Sequence, residues 1–187
     1  MKTTRIAFCG SHGSGKSTLA SPLSKKLGLP LILSPASTYW DLIDEPDISK
    51  IETEWRKYDE YVILGLMAQQ IASNPNAIFE RTPLDVLMHC IQQKISDVWW
   101  YERSLKIIEH LDTIIYVPYE ADLVGDTRQE QERYKESVGI AVECDKILQD
   151  ILDFRHLPNI TNFPKVIHVS GSVENRLRLI DIGLSAD

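Results

Sequence analysis

Eight consecutive residues, Gly10-Ser11-His12-Gly13-Ser14-Gly15-Lys16-Ser17, satisfy the pattern G-x-x-x-x-G-K-[ST] at every position. Gly10, Gly13 and Gly15 let the backbone curl so that its N–H groups converge on an anion. A helix beginning directly after such a loop turns its positive end toward the same point. Lys16 is expected to bring a point charge to the β- and γ-phosphates of a nucleoside triphosphate, and Ser17 to ligate Mg²⁺ through its hydroxyl. With Thr18 these residues form the expected cofactor site, the cofactors being ATP and Mg²⁺. His12 fills an unspecified position of the pattern and is assigned no chemistry of its own.

A second group follows in Phe79-Glu80-Arg81-Thr82-Pro83-Leu84-Asp85. Glu80 closes an apolar run. A carboxylate there can hold a metal-bound water or take a proton from an attacking hydroxyl. Arg81 can clamp a phosphate or substrate oxygen. Further on, Arg128 and Arg133 lie in Asp-Thr-Arg-Gln-Glu-Gln-Glu-Arg. Such arginines can stabilise charge on a phosphoryl group in transfer, or Arg128 can pair with Glu132 at i,i+4 on a solvated helix. Trp40, Trp55, Tyr58 and Tyr61 could stack on a base, but at helical spacing they are expected to be core. Gln69 and Gln70 are expected at the surface.

The elements that must position these groups alternate between short apolar runs and longer helical patterns, which indicates an α/β fold with a largely parallel sheet. Ile6–Cys9 reads as the first strand and Lys16–Leu27 as a helix closed by Gly28 and Pro30. Leu31–Leu33 reads as the second strand. Ile51–Ser73 carries apolar residues at helical spacing, and Ala77–Phe79 is the third strand. Pro83 suits the first turn of a helix running to about Ile95. Another helix is expected over Tyr101–His110, and a fourth strand over Thr113–Val117. A polar stretch from Glu120 to Glu136 leads into a helix ending near Phe154. Val166–Val169 is the fifth strand, and Ser170-Gly171-Ser172 opens the last helix. The expected architecture is a three-layer sandwich in one domain over residues 1–187, with the ligand at the carboxyl ends of the strands.

With 187 residues, net charge -7 and 43% apolar residues, the chain suits a single soluble domain. No apolar run is long enough to span a bilayer, and the Ile6–Cys9 run is too short for a secretory signal. A cytoplasmic, membrane-free protein is therefore expected. Cys9, Cys90 and Cys144 have no metal-binding spacing and read as reduced, buried thiols. The acidic balance disfavours a long nucleic acid as partner, although a local basic patch would leave that open. A small phosphoryl acceptor needs only a few placed cations.

The sequence resembles the P-loop nucleoside and nucleotide kinases. Within them it is similar to the AAA-type subgroup containing the ribosylnicotinamide kinase domain of the bacterial NAD regulator. The resemblance rests on Gly10–Ser17, on Glu80–Asp85, on Asp126-Thr127-Arg128 with Arg133, and on Gly171-Ser172-Val173-Glu174-Asn175-Arg176. It implies that Lys16, Glu80 and Arg128 carry the chemistry, with Glu80 and Ser17 near the metal. It implies that Arg81 and Asp85 face the phosphoryl acceptor, and that residues 122–133, including Arg133, form a lid in the stretch 120–136. It also implies that the Ser170–Ser172 loop lies near the adenine. A homodimer is left open. One departure is clear: many relatives carry a Glu, often followed by an Arg, after the second strand, where this chain has Ser34-Pro35-Ala36-Ser37. Either the acceptor differs from the usual nucleosides, or Glu80 or Asp85 must supply the base.

The leading expectation is ATP- and Mg²⁺-dependent phosphoryl transfer to a nucleoside, nucleotide or related small molecule. Two alternatives share the motifs: a kinase acting on a DNA or RNA base or strand end, and a non-catalytic nucleotide-binding switch or ATPase. Asp122-Leu123-Val124-Gly125 matches the D-x-x-G of GTPase switches, but no N-K-x-D guanine signature accompanies it.

Overall fold

The computed structural model describes residues 3–43, 53–120, 132–153 and 162–186. Five strands, β1 (Thr4–Cys9), β2 (Leu31–Ile32), β3 (Asn76–Phe79), β4 (Thr113–Tyr116) and β5 (Lys165–His168), form one sheet in the order β2-β3-β1-β4-β5. Every pairing is parallel, as crossover helices between consecutive strands require. The helices are α1 (Lys16–Leu27), α2 (Pro35–Leu42), α3 (Thr53–Ser73), α4 (Pro83–Gln92), α5 (Val98–Ile108), α6 (Glu132–Asp153) and α7 (Val173–Ser185).

The period-two alternation of a strand divides the core into two halves. Ile6 and Phe8 of β1, with Ile78, Ile115 and Ile167, pack on Leu19 and Leu23 of α1 and Ile180 of α7. Ala7 and Cys9, with Ala77, Phe79, Ile114 and Tyr116, pack on the opposite face against Ile63 and Met67 of α3, Leu84 and Leu87 of α4, and Leu148 of α6. This is the expected three-layer sandwich. Because all strands point the same way, the loops after β1, β2, β3 and β4 open on one rim.

Some boundaries differ from expectation. No element was expected between the second strand and Ile51, yet Ser34-Pro35 starts α2, with the Ser34 hydroxyl accepting from the Ala36 N–H and Pro35 in the first turn. Helix α5 starts earlier than expected, at Val98, because the Asp97 side chain caps it by accepting from the Trp99 N–H. Helix α4 stops at Gln92, short of Ile95. The aromatic residues were not uniformly core. Trp55 and Tyr58 are 64% and 62% exposed and touch each other, while Tyr61 stacks on buried Trp100 at 4.4 Å. Gln69 is exposed, as expected, and half-buried Gln70 donates to the Leu33 carbonyl. Cys9, Cys90 and Cys144 are free and buried. Among the described residues no helix is long and apolar enough to cross a membrane.

Candidate active site

The loop between β1 and α1 is shaped by what its glycines exclude. A side chain at Gly10 would put its Cβ 2.4 Å from the Val117 carbonyl oxygen, so only glycine lets β1 leave the sheet this close to the end of β4. Gly15 caps α1 at φ 92°, a left-handed conformation that a side chain would strain. Lys16 folds back over the loop it follows, donating from Nζ to the carbonyls of Gly10 (2.6 Å) and Ser11 (2.8 Å). Burial, with the Arg81 cation, pulls its ammonium down to about 8 against the opposing pull of Asp85, Cys9 and Glu80. The hydroxyls of Ser11 and Ser14 are buried with no hydrogen-bond partner. Unmatched donors of this kind, a cation and a left-handed glycine turn at a helix N-terminus suit a polyphosphate.

Two side chains that clamp the loop come from far along the chain. Asp85 is buried at the third position of α4, where its Oδ2 accepts from the N–H and hydroxyl of Thr82, both at 2.8 Å, and closes a reciprocal cap. Its Oδ1 accepts from the Gly10 N–H at 3.3 Å, tying α4 to the phosphate loop. From α7, buried Arg176 donates to the Ser14 carbonyl at 2.7 Å and pairs with Glu120 at 3.2 Å. Glu120 in turn accepts from the Gly171 N–H. The sequence offered Arg176 only as the tail of a weak motif; its bracing role depends on residues 162 apart meeting.

Glu80 stands at the mouth of the loop. Its Oε1 accepts from the Ser17 hydroxyl at 2.6 Å and its Oε2 from the Ser34 N–H at 3.1 Å. Burial pushes this carboxyl up. The hydrogen bonds from Ser17 and Ser34, helped by Arg81 and Lys16, outweigh that and hold it below the usual carboxylate range. A hydroxyl and an ionised carboxylate side by side are hard oxygen donors, which fits Mg²⁺ completed by water and phosphate oxygens.

The phosphate loop opens into a cavity of about 880 Å³. One end is lined by His12, Gly13, Gly15, Lys16, Ser17 and Thr18, with Glu80 and Arg81 at the boundary. The other is walled by Trp40 from α2, Glu60, Ile63 and Met67 from α3, and Val86, His89 and Gln93 from α4 and its end. That second end mixes apolar walls with a few polar groups, as small-molecule sites do. His89 is half-buried, and burial, with Arg81, Lys16 and His12, lowers its imidazole to about 3, so it is neutral at ordinary pH. The Gln93 Oε1 is buried without a partner. Glu60 is 8% exposed, and burial, with Asp59, pushes its carboxyl up to about 7 against Arg81 and Arg56.

Thus Gly10 to Thr18, Glu80, Arg81 and Asp85 come together around one cavity. Asp85 does so with its carboxylate engaged by the α4 cap and Gly10. Arg128 and most of the expected lid lie outside the described residues, as does the D-x-x-G segment, and the Arg133 side chain is also outside them. Glu60, His89 and Gln93 carried no sequence motif. Only the helical register of α3 and α4, known once both helices are docked, points them inward.

A family model described as an AAA domain matches residues 5–176. The chain belongs to that AAA-domain family. Comparison with curated proteins found no match. Among solved structures, this AAA-domain chain is similar to a deoxyadenosine kinase from M. mycoides carrying dCMP and dCDP. The TM-score is 0.67 with 20% identity, over 98% of this chain and 100% of that one. A thymidylate kinase from Ehrlichia chaffeensis aligns with TM-score 0.65 and 12% identity, over 99% and 97% of the two chains. The NadR protein in complex with NR aligns with TM-score 0.67 and 12% identity, over 100% of this chain and 51% of that one. The AAA-domain protein therefore has the fold of the P-loop nucleoside and nucleotide kinases, as its motifs implied.

Proposed function

We propose that this protein is a phosphotransferase that moves the γ-phosphoryl group of ATP, with Mg²⁺, to a nucleoside, nucleotide or related small molecule. The observation that carries the reading is the single cavity joining the phosphate loop to a mixed apolar and polar chamber, with Glu80 and Arg81 between the two. A nucleotide binder without an acceptor has no use for the second chamber.

Lys16 leaves its loop carbonyls to neutralise the β- and γ-phosphates, while the loop N–H groups hold the same oxygens. Ser17 and Glu80 hold Mg²⁺, which when bound offsets phosphate charge. Arg81 orients the acceptor or its phosphate. Arg128, on its sequence position, neutralises the group in transfer, and Arg133 contacts substrate. Trp40, Ile63, Met67 and Val86 support an acceptor with a flat apolar face, and Gln93 and His89 suit its hydrogen-bonding edge. A cytoplasmic location is proposed on the same footing as the substrate class.

The test is incubation of the purified chain with ATP, Mg²⁺ and a panel of nucleosides, nucleoside monophosphates, nicotinamide riboside, single-stranded DNA and duplex DNA, read by product mass. Transfer to one small acceptor, lost in Lys16→Ala and Glu80→Gln, is expected. Transfer to DNA alone would replace the small-molecule acceptor, and ATP binding without any transfer would overturn the enzyme reading.

A further inference from the structure

We propose that Glu60, from the middle of α3, is the catalytic base that accepts the proton of the acceptor hydroxyl, standing in for the acid that the chain lacks after β2. The proposal rests on the phosphotransferase reading above.

The two acids expected to fill that gap are both engaged. Glu80 is held by the Ser17 hydroxyl on one oxygen and the Ser34 N–H on the other. Asp85 is buried, accepts from Thr82 twice and from Gly10, and lies 3.9 Å from Arg81. The segment that would have supplied an acid, Ser34 onward, instead turns into α2 and gives its first N–H to Glu80. Glu60 is the remaining carboxylate on the cavity wall among the described residues. It is more than nine-tenths buried, and its carboxyl lines the cavity within the field of Arg81, Arg56 and Asp59. A ligand hydroxyl entering the cavity meets this carboxylate on its wall.

The charges around it suit the task. Arg81 faces Glu60 from the loop after β3, Arg56 and Asp59 from its own helix, and Cys90 from α4, with neutral His89 lining the same cavity. Burial with Asp59 opposes the two arginines and sets the carboxyl near 7. A base at that value is present as carboxylate in a useful fraction yet holds a proton once it takes one. In the step, the acceptor O–H bond breaks and its proton passes to Glu60. The acceptor oxygen forms a bond to the γ-phosphorus, and the bond to the bridging oxygen breaks with its electron pair leaving on ADP. The proton then passes from Glu60 to water.

The experiment compares the full-length wild type with Glu60→Gln and Glu60→Asp, using the acceptor found in the panel. It measures kcat and KM from pH 5.5 to 9 and ATP binding by a fluorescent analogue. Wild-type kcat should rise about tenfold per pH unit below about 7 and level off above it. Glu60→Gln should bind ATP like the wild type, lose at least about 100-fold in kcat and lose the acidic limb. Glu60→Asp should lose less and keep the limb. Should Glu60→Gln fail to fold, Glu60→Asp decides: an unchanged kcat and an unchanged limb midpoint overturn the proposal, and a reduced kcat with a shifted limb supports it. Glu60→Gln within threefold of the wild type, or with the acidic limb intact, overturns the role of Glu60 and leaves the phosphotransferase reading standing. Absence of transfer by the wild type itself overturns both.

Discussion

The two ends of the cavity are built on opposite plans. The phosphate end is made of consecutive residues and main-chain groups, closed on itself by Lys16 and braced by Asp85 and Arg176. The acceptor end is made of single side chains from α2, α3 and α4 and its end, where the Gln93 Oε1 is buried without a partner. Backbone recognition of phosphate needs a fixed curl and hence fixed residue types in a row. Recognition of a particular acceptor needs side chains that any neighbouring helix can supply. The first end is therefore rigid and generic, and the second is where specificity is set.

The contrast can be broken in order of effect. Lys16→Ala should abolish transfer, with roughly 1,000-fold or greater loss in kcat/KM, because Lys16 is the cation folded over the loop at Gly10 and Ser11. Steady-state kinetics with a nucleotide-binding titration measures this, and activity within tenfold of the wild type would mean that the loop is not the donor site.

Next comes a stability effect at the acceptor end. The Glu60 carboxyl is raised from 4.5 to about 7 by folding. Below 4.5 both states are protonated and nothing is lost. Between 4.5 and about 7 the unfolded chain gives up a proton that the folded chain keeps, so stability falls as pH rises and then levels off. The difference converts to about 3 kcal/mol at most. His89, held neutral in the folded chain, pushes stability the other way over the same range. Denaturant unfolding at pH 5 and 8 is therefore read as wild type minus Glu60→Gln, and that difference should fall as pH rises; a difference that stays flat or rises would contradict the assignment.

Asp85→Ala removes a buried cap and the tie to Gly10, leaving the Thr82 and Gly10 N–H groups unmatched. A loss of about 2–3 kcal/mol is expected, seen as a Tm lower by about 5–10 °C, with a raised KM for ATP. An unchanged KM would separate the cap from the loop. The smallest effect belongs to Trp55→Ala. With that ring 64% exposed, Tm should move by less than about 2 °C, and a larger drop would return Trp55 to the core.

The same contrast explains what could be read from the sequence. The five strands, the phosphate loop and the turn from Glu80 into α4 were legible because each is a local signal: an apolar run, a glycine pattern, a Thr-Pro cap. Helix α2 was missed because it is only eight residues long, its Ala36, Tyr39 and Trp40 packing only partly against the core, and its start signal is a lone Ser-Pro pair. Trp55 and Tyr58 misled for the opposite reason, having core chemistry at helical spacing on a face with nothing packed over it among the described residues. Glu60 was not legible at all, and Arg176 only as the tail of a weak motif, since a charged residue in a helix gives no local sign of what it will face. The order of strands in the sheet likewise emerges only from pairings between distant segments.

That order bears on how the chain reaches its native state. The central strand β1 comes first in sequence, yet its neighbours are β3 and β4, with Thr4 beside Asn76 and Ile6 beside Thr113. Neither edge of β1 can be satisfied by a nearby hairpin, and the second stays open until residue 113 is available. Assembly is thus governed by long loop closures, which slow the search for the native pairing. Until then, a six-residue strand whose last four residues are destined for burial presents unpaired backbone to any other chain. A fragment of this protein ending before β4 should collect in inclusion bodies, whereas the full chain closes the sheet on itself.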